Sequence, residues 1–198
     1  MKMNEVCEKA QKPTIELVKM YLKKDDSTKQ DSLQRLINEE IFNKEKYETI
    51  LLTAIVINEL YSTNIYNIIQ MADHIYSKKD EIHVSIEKGD SKAVELIATG
   101  HGIKNSRSAK EMNFYSFATK YCNYFNSKEF PIFDSYVENM LCMYNKKSSF
   151  AQFKSEELRK YSKFKEVLQE FINKYQLQSF SLREVDIFLW TYGKELFA

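Results

Sequence analysis

Few side chains in this sequence combine chemical capability with suggestive placement. His74, His83 and His101 are scattered, without the i, i+4 spacing or the partner carboxylates of a metal site. Cys7, Cys122 and Cys142 form no Cys-x-x-Cys pair and are odd in number, so they read as reduced, partly buried thiols. No metal and no cofactor is therefore expected, and the lack of a Gly-x-Gly-x-x-Gly or P-loop pattern argues against a nucleotide-binding α/β enzyme. Three features remain. Ser62-Thr63-Asn64 separates two apolar-periodic stretches with residues suited to capping. Ile103 to Glu111 (IKNSRSAKE) is polar, basic and aperiodic, a surface loop whose Lys104, Arg107 and Lys110 face solvent or grip phosphates. Asp134 follows Pro131 where a new helical pattern begins, a place at which a carboxylate caps a helix.

The elements that must position these residues are helical. Four glycines and two prolines leave little punctuation for strands and hairpins, whereas Lys, Glu, Leu, Ile and Met are plentiful. Apolar residues recur at three and four from Ile15 to Lys24 and from Asp31 to Glu40, predicting two short amphipathic helices. Lys46 to Tyr61 carries an apolar surface too wide for a helix with one exposed side, predicting a central helix. The pattern resumes at Ile65 and runs to Ile75; shorter helices follow over Asp80 to Glu87 and Ser91 to Ala98, the second ended by Gly100-His101-Gly102. Asn113 to Phe125 is an aromatic helix, and Asp134 or Ser135 starts another that runs to about Tyr144. Ser155 to Lys174 and Ser181 to Glu195 complete the set, the last opened by a Ser181/Glu184 capping box.

The expected fold is therefore all-α, a single helical domain over 1–198, with N-terminal helices in 1–44 and a core in 45–198. No run of about 18 apolar residues occurs, and the first residues lack the apolar stretch of a signal peptide, so a cytoplasmic protein is expected with no membrane partner. Lys plus Arg number 29 and Asp plus Glu 28, so any nucleic-acid surface must be a local patch.

Two segments carry a family resemblance. Phe114 to Leu141 (FYSFATKYCNYFNSKEFPIFDSYVENML) leads an aromatic helix through a polar loop into Pro-x-x-Asp and a new helix. This resembles the catalytic segment of helix-hairpin-helix DNA glycosylases, where a similar helix runs into Pro-x-Asp. Tyr61 to Ile75 (YSTNIYNIIQMADHI) is similar to the asparagine-rich turn and following helix of the 8-oxoguanine DNA glycosylase branch. The order and spacing of the two segments agree with that family.

The resemblance implies a compact helical array, DNA as partner, and an N-glycosylase acting on an oxidised or modified purine. It assigns Asp134 to the active site and Ser62, Thr63 and Asn64 to DNA contact; next to such a helix, the basic loop that carries Arg107 could grip phosphates. Bifunctional members also carry a lysine after a Gly-x-Gly hairpin, which attacks the sugar and adds AP-lyase activity. Gly100-His101-Gly102-Ile103-Lys104 repeats that wording, with extra residues before the aromatic helix; Lys110 lies nearer the expected distance from Asp134; Lys120, inside the helix, serves only if it points inward. Such a lysine must be neutral to attack, which desolvation or a second cation promotes. An aromatic residue near the chain's end, Phe188 or Trp190, would stack on the extruded base. The residues also allow plainer roles: Asp134 as an N-cap, Ser62-Thr63-Asn64 as a cap between helices, Lys104, Arg107 and Lys110 as solvated charges, and Trp190 as a core anchor. The alternative function is a non-catalytic domain binding nucleic acid or protein on the same fold.

Overall fold

A computed structural model describes residues 3–24 and 46–197. Among these the chain is all-α: ten α-helices, one short 3-10 segment, no strand, and a single isolated bridge between Lys104 and Glu111. No helix of the described residues is long and apolar enough to cross a membrane. The expected helix over Asp31 to Glu40 lies outside the described residues. Contacts divide the chain into two units, residues 46–130 and residues 3–24 with 131–197.

In the unit of residues 3–24 and 131–197, α1 (Met3–Lys9) and α2 (Ile15–Leu22) join α8 (Ser135–Ser148), a 3-10 segment (Ser155–Arg159), α9 (Tyr161–Tyr175) and α10 (Leu182–Phe197). Thr14 caps α2 by accepting the Leu17 N–H. The last carbonyls of α1 are met by Lys147, whose ammonium donates to Cys7 and Ala10 at 2.8 and 2.7 Å, satisfying groups a helix end leaves open. One expected helix is broken in two: Lys160 is extended (φ −98°, ψ 118°) between the 3-10 segment and α9. Leu158 and Tyr161 are both buried across this break, so the apolar period continues and hides it from the sequence pattern. The capping box of α10 forms as expected, with Ser181 N–H donating to the Glu184 carboxylate and Glu184 N–H to the Ser181 hydroxyl. Helix α10 packs on α8 and on α2, the latter through the rings of Phe188, Tyr192 and Tyr21. Gly193 permits the α8 crossing, since a Cβ there would lie 2.9 Å from Met140 Cγ.

In the unit of residues 46–130, α3 (Tyr47–Leu60), α4 (Ile68–Ser77), α5 (Lys79–Glu87), α6 (Lys92–Ala98) and α7 (Tyr115–Phe125) enclose Ile50, Ile57, Met71, Ile75, Phe117 and Tyr121. Helix α3 packs on α4 and α7, and α6 on α7. The expectation of a central helix too apolar to have an exposed side is corrected: Ile55 is 44% exposed and Leu60 36%. Thr49 and Thr53 supply part of its buried face instead. Gly89 turns the chain between α5 and α6 at φ +68°, close against the Glu129 side chain, where a Cβ would meet Cγ at 2.9 Å. The carbonyl of Phe130 receives the Asn123 amide at 2.6 Å, and that of Ile86 the Asn126 amide at 2.8 Å, which anchors the chain after α7.

Candidate functional site

Asp134 is the N-cap of α8. Its extended backbone (φ −148°, ψ 176°) lets Oδ1 accept the N–H groups of Tyr136 at 2.8 Å and Val137 at 3.0 Å, so the plain capping role is present. The segment leading to it is held firmly. Ile132 and Phe133 are buried, the Tyr161 hydroxyl donates to the Pro131 carbonyl at 2.8 Å, and the Ile132 N–H donates to Asp186 at 2.7 Å. Phe188 and Trp190 belong to the same unit and differ. Phe188 is fully buried against Tyr21 and Tyr192, a core ring with no face open to a base. Trp190 is half-buried, with the Lys194 ammonium 5.2 Å from its ring centre.

The other unit holds the remaining candidates. The turn after α3 is shaped by Asn58, whose side-chain oxygen accepts the Thr63 hydroxyl at 2.7 Å and the Ile65 N–H at 2.9 Å. Ser62 (φ 47°) and Asn64 (φ 58°) adopt left-handed backbone, favoured at Asn and strained at Ser. Both are exposed, whereas Thr63 turns toward Asn58. These residues are not helix caps: α4 starts at Ile68, and its cap is Asn67, which accepts the Gln70 N–H. The capping role read from the sequence passes to a residue three further on.

Lys120 points inward. It is 6% exposed, donates to the Ser116 hydroxyl one turn earlier on α7 at 2.5 Å, and stands 5.3 Å from the centre of the Tyr61 ring. The unit thus brings one candidate amine to the residue that opens the Ser62-Thr63-Asn64 turn. Lys104, Arg107 and Lys110 are all exposed. Their loop is a closed hairpin, with backbone bonds from Asn105 to Lys110 and from Met112 to Ile103, both 2.8 Å. The Asn105 side chain accepts the Arg107 and Ser108 N–H groups. Behind it, His101 Nδ1 accepts the Ile103 N–H, and burial lowers the His101 pKa. Burial likewise raises the Cys122 thiol well above its ordinary range. No group of three His, Cys, Asp or Glu among the described residues could hold a metal ion.

A family model described as an N-terminal domain, HI_0787_N, matches residues 4–129. The chain belongs to this family. An uncharacterized protein of Haemophilus influenzae is 44% identical over 140 residues, which is 71% of this chain and 64% of that relative, so the match spans less than two thirds of the relative's length. No solved structure matches the chain. The HI_0787_N match includes Ser62, Thr63, Asn64, Lys104, Arg107, Lys110 and Lys120, and stops one residue before the end of the second unit. Asp134, Phe188 and Trp190 follow it.

Sequence reasoning missed Asn58, Tyr61, Ser116 and Asp186. Ser116 was within reach, since it stands four residues before Lys120 on one helix face. So was Asp186, an acidic residue beside Val185 on the apolar face of the last helix.

Proposed function

We propose that this chain is a DNA N-glycosylase acting on an oxidised or modified purine, with Lys120 as its amine nucleophile and AP-lyase activity as a result. The supporting observation is the burial of Lys120 against Tyr61, beside an exposed, left-handed turn at Ser62 and Asn64. A nucleophilic lysine needs a desolvated setting, which Lys104 and Lys110 lack on their exposed hairpin. The exposed turn offers the hydroxyl of Ser62 and the amide of Asn64 to bases or phosphates, and Arg107 adds a cation for phosphate. In the reaction, the amine nitrogen bonds the anomeric carbon as the glycosidic bond breaks, and the base leaves with that electron pair and takes up a proton. Loss of the amine proton and opening of the sugar then give a Schiff base. Asp134 belongs to the other unit; the resemblance implies for it electrostatic stabilisation of positive charge on the sugar.

Borohydride trapping on duplex DNA containing 8-oxoguanine tests this reading. The wild-type protein and the Lys104→Ala and Lys110→Ala variants should form a covalent adduct, and Lys120→Ala should form none. An undiminished adduct in Lys120→Ala would remove that assignment, and failure of the wild type both to trap and to release base would remove the enzyme. A non-catalytic binding domain is the second reading, favoured by the exposed Tyr66 (98%) and Ile69 (58%) next to the same turn. Salt-dependent DNA binding without base release would select it.

A further inference from the structure

We propose that Asp186 is a positioning residue for Asp134, holding the Pro131–Asp134 segment from helix α10 through the Ile132 N–H. This rests on the reading of Asp134 given above. The geometry forms a short chain of fixed points. Asp186 Oδ2 accepts the Ile132 N–H at 2.7 Å, two residues before Asp134. The carbonyl of the preceding Pro131 accepts from Tyr161 at 2.8 Å, so the segment is pinned from α9 and α10 together. Ile132 and Phe133 are buried, and Asp134 then turns its own carboxylate onto the first amides of α8. Its backbone is fixed upstream and its side chain downstream, as preorganisation of a charged group requires.

Anchoring one amide does not by itself call for a carboxylate. Asp186 is 1% exposed, and an ion so placed is destabilising unless partnered. Its second oxygen receives Arg183 Nη1 at 2.8 Å. The charged groups acting on it are Arg183, from its own helix, and Asp134, from the start of α8. Burial pushes its pKa up to about 6, Asp134 adds to that rise, and Arg183 and the Ile132 N–H oppose it. The carboxylates are therefore coupled, and the protonation of one is felt by the other.

Asp186→Asn keeps an oxygen for the Ile132 N–H and removes the charge; Asp186→Ala removes both. Trapping by Asp186→Ala should slow by about tenfold or more at saturating DNA, as small misplacements of a reacting group do, and Asp186→Asn should restore most of it. In parallel, the Asp134 carboxyl resonance and the Tyr136 and Val137 amide resonances are followed by NMR. Asp186→Ala should shift all three and Asp186→Asn leave them near wild type, except that a second step near pH 6 in the wild-type Asp134 titration should vanish. Wild-type trapping by Asp186→Ala, equal impairment of the two variants, or unmoved Asp134 resonances in Asp186→Ala would each overturn the proposal. If the wild type forms no adduct, the glycosylase reading fails and the resonances alone decide the positioning role. If Asp186→Ala does not fold, the Asp134 titration in Asp186→Asn decides it, and an unchanged titration counts against.

Discussion

The ammonium of Lys120 lies 5.3 Å from the centre of the Tyr61 ring, and the next residue, Ser62, begins the left-handed turn. A cation over an aromatic face is worth about 0.5–2 kcal/mol depending on its desolvation. Tyr61→Phe keeps the face and should leave thermal stability and DNA trapping nearly unchanged. Tyr61→Ala removes the ring that faces the amine, at the residue just before the turn. It should lower stability by about 1–3 kcal/mol and depress trapping by about tenfold or more. Equal trapping by Tyr61→Ala and wild type would separate the amine from the turn.

Lys104, Arg107 and Lys110 share an exposed hairpin whose shape is set by backbone bonds and Asn105, not by their charges. Their replacement by Ala should change unfolding free energy by no more than about 0.5 kcal/mol each. For each residue that meets a phosphate, the slope of log binding constant against log salt should fall by about 0.9. Titrations at several salt concentrations read this directly, and unchanged slopes in all three variants would place the DNA elsewhere.

The helical class and most helix starts were legible because apolar period and caps are local: Asp134 and the Ser181/Glu184 box stand where their spacing predicts. What the pattern could not reveal depends on partners distant in sequence or on backbone geometry. The Ser62-Thr63-Asn64 turn reads as a cap because its residue types suit capping, yet Asn58 gathers it into a loop and Asn67 takes the cap. The break at Lys160 leaves the apolar period intact. Lys120 was legible only as a choice among three lysines, since the direction of a helical side chain is fixed by packing on α3, a neighbour not adjacent in the chain. The Ile132–Asp186 bond joins residues 54 apart and has no local signature.

Gly193 sits where α10 crosses α8. A Cβ there would stand 2.9 Å from Met140 Cγ and 3.2 Å from the Tyr136 carbonyl oxygen. Met140 can shift, but the backbone oxygen cannot do so without moving α8. Gly193→Ala should therefore destabilise the protein by about 1–3 kcal/mol despite the better helix propensity of alanine. A rise in melting temperature would show that the crossing is looser than drawn.

Tyr121 is fully buried on α7, and its hydroxyl has no hydrogen-bond partner among the described residues. Burial accordingly raises its pKa far above the ordinary tyrosine range. A buried hydroxyl without a partner is destabilising by about 1–3 kcal/mol, so Tyr121→Phe, which keeps the ring, should be neutral or stabilising in urea unfolding. A loss of more than about 1 kcal/mol would show that the hydroxyl is satisfied in solution.

Asp186 gives stability a pH dependence of unusual sign. Its folded pKa is raised from the ordinary 3.8 to about 6, chiefly by burial. Between those values the folded chain holds a proton that the unfolded chain has released, so this group's contribution is greatest at low pH. It falls as pH rises toward 6 and is level above. The paired carboxylates that drive acid unfolding act in the opposite direction. In Asp186→Asn the slope disappears, while the loss of the Arg183 ion pair is common to all pH values above the titration. Relative to wild type, the variant should gain on the order of 2–3 kcal/mol between about pH 4 and about pH 7. Urea unfolding of both proteins at the two pH values measures that gain, and an unchanged difference would mean that Asp186 is ionised throughout, its burial offset by Arg183 and the Ile132 N–H.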